Sequence, residues 1–256
     1  MKFFLLILAL AIILNNAILF AYCRIMPRIE SHIHKRRKKK ETSEETISVD
    51  NSLGDKAEKN NAKSLKQVLV STMLSFLNHY CYGWMRYCIL CTGRIPSNRI
   101  RNIIYRLVFN AHISPKTVIN GGCEIRSPWN FFAGNCVIMN NAILDARCKI
   151  IIKDNVVFGQ GVHIWTEEHD VNSPTFAVTE DNMGPVIIEE HAWICSDSTI
   201  LPDVHVGEGA VLGSRACATR DLDAFGIYVG IPAKKHGERN QNLTYVLSGK
   251  PHWHFY

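Results

Sequence analysis

The sequence contains no two pairs of cysteines at the spacing of a structural zinc site, which excludes the common zinc-stabilised folds. Its nine cysteines are an odd number, they are scattered through apolar stretches, and only Cys88 and Cys91 lie close together along the chain. A disulfide-bonded secreted scaffold uses an even set at regular intervals. We therefore expect reduced, mostly buried thiols in a cytosolic compartment.

The chain also lacks an evenly spread excess of basic charge. Its net charge is +6, but the excess is concentrated in a block at residues 36–40, beside Lys35 and shortly after Arg24 and Arg28. Such a block is typical of a tail or a flanking segment, so we expect no nucleic-acid partner. With 47% hydrophobic and 20% charged residues among 256, the chain can bury a core, and general disorder is excluded.

The longest apolar run, residues 3–23, is interrupted only by Asn15 and Asn16. About 20 apolar residues suffice to cross a bilayer. A cleaved signal peptide is the alternative, although the run is long for one. Because basic residues are dense after the run and only Lys2 precedes it, the positive-inside rule predicts a single-pass anchor, residues 1–23, in the cytoplasmic membrane with the following chain in the cytoplasm.

Two further segments follow this anchor. Residues 24–63 are basic and then polar, without periodic apolar residues, and we predict a linker. Residues 64–116 are predicted as an amphipathic helical region, with two helices separated at Pro96. A second full membrane crossing is disfavoured because Asn78 and Arg86 would then lie in the bilayer. The helices either pack on the next domain or lie on the membrane surface, and the sequence leaves both possibilities open.

The second of these helices is predicted to carry aliphatic residues on one face and arginines off that face. The aliphatic set is Ile100, Ile103, Ile104, Leu107 and Val108, and the arginines are Arg99, Arg101 and Arg106.

From Ile188 onward an aliphatic residue returns every six positions, which fits neither the helical period of about 3.6 nor the strand period of about 2. The set is Ile188, Ile194, Ile200, Val206, Leu212 and Ala218, and four residues after the first five come Ala192, Ser198, Val204, Ala210 and Ala216. The spacing recurs upstream at Ile152, Phe158 and Ile164 with Val156 and Val162, and, offset by two residues, at Phe132, Ile138 and Leu144 with Cys136, Ala142 and Cys148. A solenoid explains this period, because each short strand buries one aliphatic residue and the chain then turns at a small residue.

Residues 185–235 carry the most specific motifs. They read "PVIIEEHAWICSDSTILPDVHVGEGAVLGSRACATRDLDAFGIYVGIPAKK", with a tryptophan before the last hexapeptides, a Thr-basic-Asp step and a Gly-x-Pro-x-Lys segment. This stretch resembles the galactoside and maltose acetyltransferases and, more closely, the colanic-acid-type exopolysaccharide acetyltransferases, all hexapeptide-repeat acyltransferases. The resemblance extends over about residues 118–235. It implies a mainly β fold, a left-handed parallel β-helix over residues 117–235, followed by a C-terminal tail over residues 236–256.

One segment, "IWTEEHDVNSP" at residues 164–174, interrupts the repeat with a polar excursion. We predict an extruded loop over residues 165–186 that presents His169 among acids. The family resemblance implies that this histidine is the general base that takes a proton from a sugar hydroxyl, since histidine side chains ordinarily titrate near neutrality. A surface histidine among solvated acids is the structural alternative.

Further site residues are implied by the resemblance. The backbone N–H of Ser196 is expected to stabilise the oxyanion, and Trp193 is expected near the acyl-CoA, with a buried structural indole as its alternative. Acyl-CoA contacts are expected from Ser214, Thr219, Arg220, Gly230, Ile231, Pro232 and Lys234, and acceptor contacts from Asn140, Asn141 and Asp145. Cys195 replaces the glycine usual after Trp-Ile, so we expect a local adjustment there.

The resemblance therefore implies a membrane-bound O-acetyltransferase that uses acetyl-CoA. Its acceptor would be a sugar or a lipid-linked glycan of surface-polysaccharide synthesis, and its assembly a homotrimer with shared sites. Amino-sugar N-acetylation and a non-catalytic scaffold stay open. We expect no metal, because zinc-dependent β-helix enzymes use two histidines five residues apart, and no pair among His163, His169, His191 and His205 has that spacing.

Overall fold

The computed structural model describes residues 2–47, 65–178 and 182–251. The chain divides into two compact units, Met1–Met85 and Arg86–Tyr256. The helices are α1 (Lys2–Ile47), α2 (Leu65–Gly93), α3 (Asn98–Leu107) and a short 3-10 helix (Pro128–Asn130).

The first unit consists of α1 and the larger part of α2. The hydroxyl group of Tyr80 donates a hydrogen bond to Asn15 Oδ1, and that of Tyr22 donates to Asn78 Oδ1, both at 3.1 Å. Within α1, the stretch Ala9–Ile33 has a mean hydropathy of 1.7 and is long and apolar enough to cross a membrane. Among the described residues it is the one helix that meets this criterion.

Helix α1 continues through the first part of the predicted linker 24–63 as far as Ile47. The physical reason lies in its composition, since Lys, Arg and Glu propagate helices well and need no apolar face to do so. The rest of the predicted linker, residues 48–64, lies outside the described residues.

The second unit is a parallel β-solenoid in which three sheets stack strands from successive coils. Sheet A contains β1 (His112–Ile113), β4 (Phe131–Ala133), β7 (Ile150–Ile152), β10 (Val186–Ile188) and β13 (His205–Val206). Sheet B contains β2 (Val118–Ile119), β5 (Val137–Ile138), β8 (Val157–Phe158), β11 (Trp193–Ile194), β14 (Val211–Leu212), β16 (Gly226–Val229) and the antiparallel β17 (Lys234–Glu238). Sheet C contains β3 (Glu124–Arg126), β6 (Ile143–Asp145), β9 (His163–Ile164), β12 (Thr199–Ile200) and β15 (Cys217–Ala218).

The six-residue period is confirmed as the period of the core. In register, Ile152 pairs with Ile188 and Ile188 with Val206, while Ile194 pairs with Leu212. The side chains at these positions are buried, at 2% exposure or less. Successive residues of a strand point to opposite sides, so most two-residue strands place one residue inside, and the three-residue strands β4, β7 and β10 place two.

One part of the predicted core pattern is wrong. Phe132 does not point inward: Ala133 is paired with Ile152 and takes the buried place. The Phe132 ring lies half-exposed and stacks on His112, with 4.5 Å between ring centroids. The cause is a connection from β4 to β5 that is one residue shorter than its counterparts: Ala133 and Ile138 are five residues apart, whereas Ile152 and Phe158 are six apart. Cys148, also assigned to the core pattern, is only partly buried.

The solenoid begins before the predicted boundary at residue 117, because β1 already forms part of the first coil. At the other end, the tail does not extend away from the coils. Its residue Leu247 donates its N–H to Asn155 Oδ1 at 3.0 Å, and the Tyr245 hydroxyl donates to the carbonyl oxygen of His191 at 3.1 Å. The described part of the tail therefore returns along one corner of the solenoid.

The corners of the solenoid use left-handed backbone conformations that the repeat pattern did not reveal. Asn155, Asp197 and Asp203 have φ near +60°, and each precedes a buried small or β-branched residue. Asn and Asp tolerate this region better than other non-glycine residues. Asn and Asp therefore occupy several of the corners, whereas His191 and Arg215 adopt the same conformation at others.

All nine cysteines are free, as expected. Only Cys23, Cys81, Cys123 and Cys136 are buried, however, and Cys91 is exposed. The expectation of mostly buried thiols is therefore only partly met.

The fold predicts a large difference between two adjacent substitutions in β8. Phe158→Ala removes a fully buried ring and should lower the free energy of unfolding by about 3–5 kcal/mol. Val157→Ala, on the outward side of the same strand, is the matched control and should cost under about 1 kcal/mol. Denaturant unfolding followed by circular dichroism measures both, and equal losses would contradict the assigned register.

Candidate active site

The loop that interrupts the repeat leaves the solenoid after β9 and returns at β10. Its two ends form a narrow neck, in which Glu167 and Met183 make an antiparallel bridge. The Gly184 N–H donates to the Thr166 carbonyl at 3.1 Å, and the Glu168 N–H donates to the Asn182 carbonyl at 2.8 Å. This neck lets the loop project from the corner between sheets C and A without disturbing the coils.

His169 is exposed near the base of this loop. Its Nδ1 lies 2.8 Å from the carbonyl oxygen of Phe176, and its ring stacks on the Phe176 ring with centroids 4.1 Å apart and planes 7° apart. A carbonyl oxygen only accepts hydrogen bonds, so Nδ1 carries the proton. In the neutral ring, Nε2 then holds the lone pair that a base requires. Phe176 was missed by sequence reasoning, because its contribution is a backbone carbonyl that no residue type signals.

A charged network ties the neck of the loop to β6. Arg147 donates from Nη1 to Glu167 Oε1 at 2.9 Å and from Nη2 to Asp145 Oδ2 at 2.7 Å. The Thr166 hydroxyl also donates a hydrogen bond to the backbone carbonyl oxygen of Asp145 at 2.7 Å. The loop therefore starts from a fixed point two residues before His169.

Asp145 does not have the predicted role of contacting the acceptor. Its side chain is fully buried and is held by Arg147 and, at 3.4 Å, by Arg126. A buried carboxylate needs such partners, because an unpaired charge away from water is strongly unfavourable. Asp145 thus acts on the loop through Arg147.

Several other predicted residues lie on one corner, the B–C corner, formed by the turns from sheet B to sheet C (residues 139–142, 159–162, 195–198 and 213–216). The turns stack through backbone hydrogen bonds: Gly161 donates to Asn140, Asp197 to Gln160 and Arg215 to Ser196, at 2.8–3.0 Å. Asn140, Asn141, Ser196 and Ser214 therefore line one edge of the solenoid.

Ser196 presents its backbone N–H at this corner. The neighbouring amides donate to carbonyl oxygens, Cys195 to Leu212 and Asp197 to Gln160, both at 2.8 Å. Within the described residues, the Ser196 N–H has no such acceptor. Gly159 lies directly against it, since a Cβ at that position would be 2.3 Å from Ser196 N. The amide is thus available to an outside oxygen, and only glycine at 159 leaves it so.

Trp193 is 47% exposed on the outer face of β11, so its indole is not buried within its own chain. Cys195 follows in the column that contains Gly159 and Gly213 in the adjacent coils, as the registers of β8, β11 and β14 show. The side chain of Cys195 is partly buried there.

The remaining predicted residues are all exposed. The turn Gly230–Ala233, which includes Ile231 and Pro232, packs on β15, because Cys217 donates its N–H to the Gly230 carbonyl at 3.0 Å and accepts from Ala233 at 2.8 Å. Lys234 follows in β17. Thr219 and Arg220 lie beyond β15, at the same corner as the His169 loop.

The structure therefore brings the predicted residues together in two groups on either side of sheet C. One group contains Ser196 and the B–C corner, and the other contains His169, Thr219 and Arg220. No hydrogen bond or ring contact within the described part of the chain joins His169 to Ser196 or Trp193. In the same described ranges, no group of three His, Cys, Asp or Glu side chains could hold a metal ion.

Comparison with known proteins gives a family. A protein named as the colanic acid biosynthesis acetyltransferase WcaF of Escherichia coli (strain K12) is 30% identical over 142 residues, 55% of this chain and 76% of that protein. The chain belongs to the hexapeptide-repeat acyltransferases. A protein of this kind in Schizosaccharomyces pombe, named as an acetyltransferase, is 31% identical over 123 residues, 48% of this chain and 56% of its own length. No family model matches the chain.

Solved structures share the fold of this acyltransferase. A hexapeptide-repeat acetyltransferase of Vibrio cholerae, solved with acetyl coenzyme A, covers 71% of this chain and 93% of its own, with 16% identity and a TM-score of 0.55. A maltose O-acetyltransferase of Clostridium difficile covers 61% and 87%, with 23% identity and a TM-score of 0.53. The predicted β-solenoid is confirmed, and the chain is an enzyme of acyl transfer.

The packing of Cys195 in this acyltransferase makes a prediction about its reactivity. Burial raises the pKa of the Cys195 thiol, so less thiolate is present at a given pH than in the unfolded chain. The pH at which alkylation of Cys195 reaches half its maximal rate should therefore be higher in the folded protein than in the denatured protein. Peptide mass spectrometry after timed iodoacetamide treatment measures this midpoint, and a lower midpoint in the folded state would contradict the assigned environment.

Proposed function

We propose that the chain is an acetyl-CoA-dependent O-acetyltransferase that acts on a sugar hydroxyl of a surface-polysaccharide precursor, with His169 as the general base. The observation that carries the proposal is the hydrogen bond from Nδ1 of His169 to the Phe176 carbonyl. It orients the ring and fixes the tautomer that keeps Nε2 free for proton transfer. A non-catalytic scaffold would have no use for a histidine held in this way.

The proposed reaction needs one base and one oxyanion donor. Nε2 of His169 takes the hydroxyl proton while the sugar oxygen attacks the thioester carbonyl carbon. The oxygen of that carbonyl becomes negative and accepts a hydrogen bond from the Ser196 N–H. As the carbon–sulfur bond breaks, the departing thiolate takes the proton from the imidazolium, and the ester and free thiol are released. No covalent enzyme intermediate is required, and the raised pKa of Cys195 argues against a thiolate there as acyl carrier.

The residues of the B–C corner fit an acyl-CoA. Trp193 offers an exposed apolar surface next to the free Ser196 amide, and Ser214 lies one coil further along. Beyond it, the turn at Gly230–Ala233 and Lys234 would contact the nucleotide end. Arg220 lies with the His169 loop on the other side of sheet C, and it would supply positive charge for the phosphates from a neighbouring chain. For the acceptor, Asn140 and Asn141 are the candidates at the same corner.

Attachment of the chain to a membrane favours a lipid-linked acceptor over a soluble one. The apolar stretch Ala9–Ile33 would hold the enzyme at the bilayer, and the basic block that follows it favours a cytoplasmic orientation. A cytoplasmic face is also where acetyl-CoA is available to a membrane-bound transferase. We therefore propose a single-pass enzyme of the cytoplasmic membrane.

A homotrimer would bring the two separated groups of residues together. Sheet B carries a column of apolar side chains in register, at Val118, Val137, Val157, Trp193, Val211 and Ile227. Trp193 is exposed and the others are partly exposed, except Val211, which is covered within the chain. A column of this length favours contact with another protein surface. Closed threefold symmetry would let the His169 loop of one chain face the B–C corner of its neighbour.

The first test of the proposal compares two stacked histidines. His169→Ala should lower kcat at least about 10²-fold without loss of folding, because positioned base catalysis contributes about 10²–10⁴. His112→Ala is the matched control, since His112 also stacks on an aromatic ring, 4.5 Å from Phe132, but lies on sheet A. Acetyl transfer to a confirmed sugar acceptor is measured for both. Turnover above about half of wild type in His169→Ala would refute the mechanism.

The second test concerns the shared site. A His169→Ala chain and a Gly230→Trp chain, each inactive alone, are mixed under conditions in which subunits demonstrably exchange. Mixed trimers should regain part of the wild-type activity, because some interfaces then pair two intact halves. Mixtures that stay as inactive as either parent would show that each chain forms its site alone.

A further inference from the structure

Helix α3 is amphipathic, but it is turned the opposite way from most surface helices. Its buried residues are Asn98, Arg101, Asn102 and Tyr105. Its large aliphatic residues point outward, with Ile100 41%, Ile103 46% and Leu107 61% exposed. A surface helix of a globular protein normally buries its apolar stripe and exposes its polar face. The burial of the polar residues and the exposure of the aliphatic residues each require an explanation.

The polar residues of α3 are buried because they lie against the open end of the solenoid. Alternate residues of a parallel strand bond to opposite neighbours: Val118 donates to Cys136 of the second coil at 2.9 Å, whereas the carbonyls of Thr117 and Ile119 face the side on which there is no preceding coil. Helix α3 supplies donors in its place. Asn102 Nδ2 donates to the Thr117 carbonyl at 2.6 Å, and Arg101 Nη2 donates to the Ile119 carbonyl at 2.7 Å. The polar face of α3 therefore caps the edge of the sheets.

The outward side of α3 combines an aliphatic stripe with positive charge. Residues three and four apart share one face of a helix, so Ile100, Ile103 and Leu107 form one continuous stripe. Arg99 and Arg106, also three and four residues from Ile103, lie along its edge, and both are exposed. An aliphatic stripe bordered by arginines is the pattern of a helix that lies in the interface of an anionic membrane.

We infer that the outward stripe of α3 inserts into the surface of the bilayer to which the chain is attached, so that the solenoid stands on the membrane by its first coil. Three observations support a bilayer as the occupant. The same chain carries a membrane-spanning candidate at Ala9–Ile33. The stripe is aliphatic and bordered by arginines, and the polar face of α3 is already engaged by the solenoid.

With α3 on the bilayer, the His169 loop lies at a defined distance from the membrane surface. The use made of this distance rests on the proposed function. Helix α3 packs on β1 and β2 of the first coil, and the His169 loop leaves the third coil after β9. Successive strands lie about 4.8 Å apart, so two coil steps place the loop roughly 10 Å beyond the first coil, and the capping helix adds its own diameter of about 10 Å. A sugar joined to a membrane lipid through a short polar linker would reach a site at that height.

The experiment uses the full chain in vesicles of phosphatidylethanolamine and phosphatidylglycerol. A benzophenone amino acid replaces Ile103 in one protein and Glu190, an exposed corner residue of the fourth coil, in the control. After irradiation, mass spectrometry should find phospholipid adducts at position 103 and none at position 190. Adducts only to a second copy of the chain at position 103, or equal lipid adducts at both positions, would overturn the inference.

A paired substitution supplies the second measurement. With the benzophenone residue at position 100, Ile103→Asp combined with Leu107→Asp should abolish the lipid adduct. Because both side chains are exposed, the two changes should leave the fold intact. Persistence of the adduct in this variant would overturn the inference. Adduct formation needs no acetyl transfer, so His169→Ala should give the wild-type adduct pattern, and failure of the proposed function would be seen separately.

Discussion

The structure depends on one constraint: each coil must return the chain to the register of the coil before it. Parallel stacking pairs Ile152 with Ile188 although the His169 loop separates β9 from β10 along the chain. The loop is tolerated because its two ends meet at a narrow neck and the chain rejoins sheet A in register. A solid aliphatic core therefore coexists with one exposed segment, and chemistry that a packed coil excludes becomes possible on that segment.

The neck also shows how the scaffold controls the loop. Arg147 joins the buried carboxylate of Asp145 to Glu167, so a rigid strand holds the segment that carries His169. The Phe176 carbonyl then completes the positioning by fixing the ring. Base catalysis depends on a correctly positioned group, and the position of the His169 ring is set by groups of the same chain.

Much of the fold was predictable from sequence because the six-residue period records the inward positions directly. Where the spacing was irregular the prediction failed, as at Phe132. The connection from β4 to β5 is one residue shorter than its counterparts, and a one-residue shift exchanges the inward and outward places of a strand. The candidate site was predictable only through single residues such as His169. Contacts made by backbone groups leave no mark on residue type, and the burial of Asp145 depends on arginines that only the folded strands bring together. The reversed face of α3 was equally hidden, because the need to cap the first coil belongs to the assembled solenoid.

The central claim is that this acyltransferase modifies a surface polysaccharide through His169. Mass spectrometry of that polysaccharide tests it most directly, in cells that lack the gene and are complemented with either wild-type or His169→Ala protein at equal abundance. The account predicts that an acetyl group is lost in the deletion, restored by the wild-type gene and not restored by His169→Ala. Restoration by His169→Ala, or a polysaccharide with unchanged acetylation in the deletion, would contradict it.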